Sequence, residues 1–314
     1  MSTPIILDCD PGIDDALAIA FATASPAIDL VGITTVAGNV SLAKTTANAL
    51  AVASFVGAKD VPVTPGSAVP LLRPAVHAGR VHGDSGLGGA VLPPPARTVE
   101  DGHAIDYIID TIGAASGEIT LVATGPLTNI GLALRREPRL ATWVRDFVIM
   151  GGSASRGNVN HAAEFNIWAD PEAAAIVFGA GWTVRMIGLD VTLRARATAA
   201  VQERMRSLGS LGSQLLLPAL ALYRDSADTT GEPPVHDVCA IVSIADPSVF
   251  AYTPARVQVE THGTLTSGMT VTDFSQSASP QSADNNTSVA TGINAERFWT
   301  TVLGAYETLP VARA

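Results

Sequence analysis

The sequence predicts an α/β protein: a doubly wound, mostly parallel sheet with helices on both faces and a small antiparallel extension. Three observations carry this. Short apolar runs alternate with helix-like stretches from residue 5 to residue 189. The apolar runs are continuous rather than period-two, as expected for strands covered on both faces. Polar and glycine-rich punctuation follows the strand runs, at the carboxyl ends where such sheets bind ligands.

Strand-like runs occupy Ile5–Leu7, Leu30–Val36, Ile119–Ala123, Phe147–Met150 and Val184–Leu189. Helices are expected near Asp15–Ala24, Leu42–Phe55, Ala104–Ala115, Leu127–Leu134 and Pro171–Phe178, which gives a Rossmann-like core. Residues 65–95 read as loop. A longer helix, Ser210–Ala227, leads to GEPPVHDVCAIV at 231–242. Residues 250–272 alternate like antiparallel strands, 275–286 read as an exposed loop, and Ala295–Leu309 forms the last helix. No repeat or linker divides the chain, so 1–314 is expected to be a single domain.

Composition narrows the partners. The formal net charge is −10 and no Lys/Arg run exists, which argues against a nucleic-acid polymer or an anionic membrane. A small neutral or cationic ligand suits that charge. Cys9 and Cys239 read as reduced buried thiols of a cytoplasmic protein. MSTPIILD lacks the basic and apolar regions of a secretion signal. No apolar run reaches the ~18 residues of a membrane span.

Three segments carry chemistry. ILDCDPGIDDALAI puts Asp8, Asp10, Asp14 and Asp15 at one strand-to-helix turn. That density of carboxylates is costly without a positive partner, and a hard divalent cation with oxygen ligands is the natural one. Helix capping would account for one of them, with Asp14 expected in that role, but not for Asp10 and Asp15 as well. GNVNHAAEFNIWADPEAA at 157–174 supplies Asn158, Glu164 and Asn166, whose groups suit sugar hydroxyls. Asp170 before Pro171 reads as a plain helix cap. In VHDVCA, Asp237 opens a helix, and His236 is a group able to exchange protons near neutral pH. Taken alone, that pair reads first as structural.

Together these segments resemble the nucleoside hydrolases, calcium-dependent enzymes that split ribonucleosides into ribose and base. The resemblance runs through DCDPGIDDA (8–16), AGN (37–39), HGDSGLGG (82–89), ATGPLTN (123–129), MGG (150–152), GNVNHAAEFNIWADPEAA and HDVCA (236–240), in the family's order and spacing. It implies that Asp10, Asp15, Asp237 and the carbonyl of Thr124 hold Ca2+, with the attacking water and the ribose 2′- and 3′-hydroxyls completing its shell. It implies that Asp10 is also the general base for that water, and that the transition state is oxocarbenium-like. Asp14, Asn39, Asn158, Glu164, Asn166, the backbone of Met150 and again Asp237 match ribose-binding positions. His236 matches the residue beside the departing base, where it protonates or hydrogen-bonds the leaving nitrogen, and His82 matches a second histidine there. The family forms dimers or tetramers, so a homo-oligomer is implied.

Two departures stand out. Val238 follows the His–Asp pair where the family often has proline. Base-contacting side chains of relatives align with residues 219–234, where Tyr223, Arg224 and Asp228 are candidates without a secure register, so purine or pyrimidine preference does not transfer. Rival readings are weaker. A haloacid-dehalogenase-type phosphatase wants Thr or Val where Gly12 stands. A catalytically silent ribose- or metal-binding protein on the same scaffold would show degenerate positions, and none is seen. A dinucleotide-dependent dehydrogenase needs a G-x-G-x-x-G opening a helix, and the chain has none.

Overall fold

A computed structural model describes residues 1–95, 97–224, 231–275 and 284–313. One nine-stranded sheet runs through it in the order β3-β2-β1-β4-β5-β6-β9-β7-β8. The strands are β1 (Thr3–Cys9), β2 (Ile28–Thr35), β3 (Val63–Pro65), β4 (Thr120–Ala123), β5 (Asp146–Met150), β6 (Val184–Ile187), β7 (Phe250–Val259), β8 (Thr270–Asp273) and β9 (Thr287–Ile293). β1 to β6 and β9 form a parallel array, and β7 and β8 extend it antiparallel. The expected doubly wound sheet and its antiparallel extension are both present.

β1 shows why the sheet is buried on both sides. Ile5, Leu7 and Cys9 belong to the core on one face, and Ile6 belongs to the core on the other. Alternation along the strand sends Asp8 to the Ile6 side. The chain winds from β1 to β2 and β3 on one side, then returns to lay β4 against the other edge of β1. Such a reversal opens a crevice at the carboxyl ends of the two central strands. Asp8 pairs with Ala123 in that register, and the Thr124 amide donates to the Asp8 carbonyl at 2.8 Å.

The Ile13–Ala24 helix lies deepest. Eleven of its twelve residues are buried. A helix apolar all round belongs in an interior rather than on a surface. The Ala295–Tyr306 helix packs on it, and the Tyr306 hydroxyl donates to the Leu17 carbonyl at 2.9 Å.

Three sequence expectations shift. β3 and β9 were not foreseen. β3 is three residues ending in Pro65 at a sheet edge, where a missing N–H is tolerated. The expected Ser210–Ala227 helix begins as a π-helical turn, Leu211–Leu216, and continues as Leu217–Arg224. Pro218 lies one position inside the second part. A proline ring cannot sit above an ordinary preceding helical turn, and the wider π turn relieves that clash. The expected 275–286 loop and the end of the 210–227 helix fall mainly outside the described residues. Among the described residues, no helix is long and apolar enough to cross a membrane.

Candidate active site

The first motif folds as a tight knot at the end of β1. Asp8, Asp10 and Asp15 have no solvent exposure, and Asp14 has almost none. The Asn39 amide donates to Asp10 Oδ2 at 2.7 Å, and its side-chain nitrogen reaches the Asp10 carbonyl at 3.1 Å and Asp15 Oδ2 at 3.2 Å. Asn39 can come this close because Gly38 precedes it. A Cβ at Gly38 would collide with the Asp10 carboxylate.

The capping expectation needs correction. The helix begins after Gly12, and the aspartate that serves its start is Asp15, not Asp14. Asp15 Oδ2 accepts from the Gly12 amide at 3.0 Å, while Oδ1 accepts from the Thr124 hydroxyl at 2.9 Å. The helix starts two residues earlier than a cap at Asp14 requires. Asp14 instead accepts on Oδ2 from the His236 amide at 3.2 Å. Asp237 stands at the N-cap position of the Val238–Ala245 helix but makes no side-chain cap bond. Its carboxyl shares a hydrogen bond with Asp15.

The second motif is more tightly satisfied than the sequence suggested. Glu164 caps the Phe165–Ala169 helix: its oxygens accept from the amides of Asn166 at 3.0 Å, Ile167 at 3.4 Å and Gly152 at 2.9 Å. Asn158 Oδ1 accepts from the Phe165 amide at 2.9 Å. Asn166 spends its amide nitrogen on the carbonyls of Thr124 at 2.7 Å and Met150 at 3.1 Å. Only its carbonyl oxygen is left for a ligand.

Two histidines approach from elsewhere. His82 Nδ1 accepts from the Ile13 amide at 3.1 Å, so its proton must sit on Nε2. The Tyr223 hydroxyl lies 3.3 Å from that Nε2, with the rings edge to face. His236 Nδ1 meets the Thr192 hydroxyl at 2.8 Å. Burial pushes the His82 pKa down to about 3, with His236 adding to it, and pushes His236 down to about 4. Both rings are therefore neutral near pH 7.

One cavity of about 290 Å³ gathers these groups. Asp14, Asn39, His82, Thr124 and Met150 line it, and so do Asn158, Glu164, Asn166, His236 and Asp237. Asp10 and Asp15 form the packing beneath it rather than its wall. Sequence reasoning missed its apolar side: Ala78, Val81, Val159, Phe165 and Pro234. Phe165 lay inside a motif already quoted, whereas Ala78 and Val81 belong to a stretch read as loop, in which Gly79–His82 forms a single helical turn capped at Ala78. Tyr223 lines the cavity. The side chain of Arg224 and all of Asp228 lie outside the described residues.

Negative charge dominates the floor. Burial raises the pKa of Asp10, Asp14 and Asp237 well above the carboxylate range, and Asp15 raises each of them further. Burial also raises Asp15, against hydrogen bonds from Gly12 and Thr124. Asp10 Oδ1 and Asp14 Oδ1 are buried without a hydrogen-bond partner. Among the described residues, no three His, Cys, Asp or Glu side chains stand as a ready-made metal cage. The Thr124 carbonyl accepts from Asn166, and Asp15 accepts from the Gly12 amide, the Thr124 hydroxyl and Asn39.

Relatives agree with this arrangement. The sequence model of the family described as inosine-uridine preferring nucleoside hydrolase matches residues 5–300. An inosine-uridine preferring nucleoside hydrolase of Leishmania major is 45% identical over 98% of both chains. A pyrimidine-specific ribonucleoside hydrolase of Photobacterium profundum is 43% identical over 95% of this chain and 96% of the relative. Among solved structures, a purine-preferring ribonucleoside hydrolase from Gardnerella vaginalis superimposes with a TM-score of 0.90 at 33% identity, covering 97% of this chain and 98% of that one. A fold, a cavity and a sequence that agree along nearly the whole length leave one assignment: the chain belongs to the inosine-uridine preferring nucleoside hydrolase family and is an N-glycosyl hydrolase.

Proposed function

We propose that this protein hydrolyses the N-glycosidic bond of ribonucleosides to ribose and free base, with 1–314 acting as one nucleoside hydrolase domain. The observation that carries the reading is the buried, unpartnered Asp10 Oδ1 beneath a small cavity with both carboxyl-bearing and apolar walls. Such an oxygen is costly unless it has a partner during function. The cavity volume suits a nucleoside-sized ligand rather than a polymer.

The donor set fits Ca2+. Asp10, Asp15, Asp237 and the Thr124 carbonyl are all oxygen ligands, the preference of a hard cation, and their mutual repulsion is what a cation would relieve. When bound, calcium would supply positive charge and orient the attacking water and the ribose 2′- and 3′-hydroxyls. Asp10 takes the proton of that water. Its Oδ2 is clamped by Asn39, which leaves Oδ1 for the task. Asp14 Oδ1, Asn39, Asn158, Glu164, Asn166 and Asp237 face the sugar, and their negative and dipolar groups favour positive charge developing on the ribosyl ring. Because both Asn166 N–H groups are spent, it receives a hydroxyl proton rather than giving one.

His236 stands beside the departing base, held through Nδ1 by Thr192. As a neutral ring it hydrogen-bonds the leaving nitrogen and shares a proton only as negative charge builds there. His82, locked as the Nε2–H form, is a fixed donor to the base or to Tyr223. The base itself rests against Val81, Val159, Phe165 and Pro234. Relatives at 45%, 43% and 33% identity carry inosine-uridine preferring, pyrimidine-specific and purine-preferring names respectively, so family membership does not fix preference, and details of this wall set it. Two buried free thiols suit a reducing cytoplasm, and a homo-oligomer, dimer or tetramer, completes the reading.

Purified protein with calcium, given inosine, uridine, cytidine and adenosine, should release reducing sugar from at least one. Silence on the whole panel would overturn the reading.

A second expectation concerns pH. Asp8 and Glu164 have folded pKa values raised by burial to about 7, against ordinary values of 3.8 and 4.5. Between roughly pH 4 and 7 these two carboxyls therefore bind more protons in the folded chain than in the unfolded one, opposed below about pH 6.5 by His82 and His236, whose folded pKa values are lowered. The carboxyls' contribution to stability falls as pH rises through that window. In a chelator, Tm should decline from pH 6.5 to pH 8, and added calcium should raise Tm most at pH 8. A chelated protein whose Tm climbs across this range would contradict the burial described for these carboxyls.

A further inference from the structure

Asp8 is the one member of the aspartate cluster to which the proposed reaction gives no task, yet it is wholly buried, with two hydrogen bonds on Oδ1 and Oδ2 left without a hydrogen-bond partner. Its Oδ1 accepts from the Thr34 hydroxyl at 2.6 Å and from Asn129 Nδ2 at 2.8 Å. Asn129 opens the Thr128–Arg136 helix and is equally buried. It bonds in two further directions: Nδ2 donates to the Thr35 carbonyl at 3.1 Å, and Oδ1 accepts from the Ser67 amide at 2.8 Å. Ser67 in turn accepts on its carbonyl from the Ala37 amide at 2.9 Å. Two residues later, Asn39 clamps Asp10 Oδ2. Gly66 closes the bracket, since a Cβ there would strike the Asn129 carboxamide.

We propose that Asp8 and Asn129 are positioning residues for Asp10. Together they set the height of the 35–39 turn through Thr35 and Ser67, and thereby decide where Asn39 holds the Asp10 carboxylate. Three features favour this over simple core filling. The bracket is polar in a place where apolar packing would serve stability at least as well, because buried polar groups cost free energy when imperfectly paired. Three of its bonds end on the turn or on the strand leading into it: Asp8 with the Thr34 hydroxyl, Asn129 with the Thr35 carbonyl, and Ser67 with the Ala37 amide. The turn also holds Asp15 through Asn39 Nδ2. The bracket thus reaches two of the proposed cation ligands without touching the cavity.

The inference rests on the reaction proposed above, and the test separates the two. Asn129→Asp replaces the shared N–H with a carboxylate facing Asp8. With folding verified by circular dichroism, kcat on the best nucleoside should fall about 10–100-fold while KM changes less than about 3-fold, and calcium affinity measured by calorimetry without substrate should weaken. The swap Asp8→Asn/Asn129→Asp restores a donor between the two positions and should recover at least about tenfold of kcat. Asn129→Ser, too short to bridge but without added charge, should show the same kcat loss if the aspartate variant fails to fold. Lower Tm with kcat per folded molecule and calcium affinity both unchanged would reduce the bracket to a structural role and overturn the proposal. A wild-type protein that releases no ribose would instead sink the reaction and leave the calcium measurement to judge the bracket.

Discussion

Asp10→Asn should abolish ribose release, with a loss of at least about 10⁴-fold in kcat, the upper end for removal of a general base. The substitution is nearly isosteric. The Asn39 amide keeps an acceptor, so the turn survives, but the group that receives the water's proton is gone. The same change removes one of three carboxylates proposed to hold calcium, so the metal content of the purified variant should drop as well. Two measurements decide the matter: reducing sugar released from the best nucleoside, and calcium per chain by elemental analysis. A variant that turns over near the wild-type rate with full calcium would strip Asp10 of both roles. Turnover lost with calcium fully retained would separate them, leaving proton transfer to Asp10 and the cation to the remaining oxygens.

His236→Ala comes second, with an expected loss of about 10²–10⁴-fold on natural nucleosides. The geometry gives this number a direction as well as a size. Thr192 holds Nδ1, and burial keeps the ring uncharged down to about pH 4. A nearby cation would push the same way, since like charges disfavour each other. The loss should therefore be similar across neutral and mildly alkaline pH, because the ring acts uncharged throughout. A p-nitrophenyl riboside, whose departing group needs little help from a proton, should suffer far less. Equal losses on both substrates would mean that His236 shapes the cavity rather than assisting departure.

Much of this was legible in the sequence, for definite reasons. β1, β2, β4, β5 and β6 announce themselves because strands covered on both faces must be continuously apolar. β9 did not, because TSVATGI follows a serine- and asparagine-rich stretch and is half polar. The polar members of the cavity wall were found by motif, and the cavity collects every site residue so identified except Asp10 and Asp15, which lie beneath it. What the motifs could not convey is how those side chains are already engaged. Glu164 reads as a free carboxylate in sequence, and in the fold backbone amides crowd its Oε2 while Oε1 accepts from the Asn166 amide alone. Asn166 reads as donor and acceptor, and in the fold it is an acceptor only. The Asp15 cap was hidden because a two-residue shift of the helix start in a Pro–Gly turn is invisible to spacing. Thr192 gave no signal, being an ordinary threonine in VTLR until the chain brings His236 against it.

The bond between Tyr306 and Leu17 joins positions 289 apart along the chain, and it has a cost during synthesis. A ribosome adding about 5–20 residues per second needs roughly 15–60 s to travel from one partner to the other. For all that time the Ile13–Ala24 helix lacks the last part of its covering, although the Leu42–Val56 and Val238–Ala245 helices emerge earlier. The nascent chain should therefore be a good client for chaperones that bind greasy helices. Versions cut before the Ala295–Tyr306 helix should aggregate rather than fold into weaker enzymes. Expression yield, more than turnover, is where changes to that last helix should first be felt.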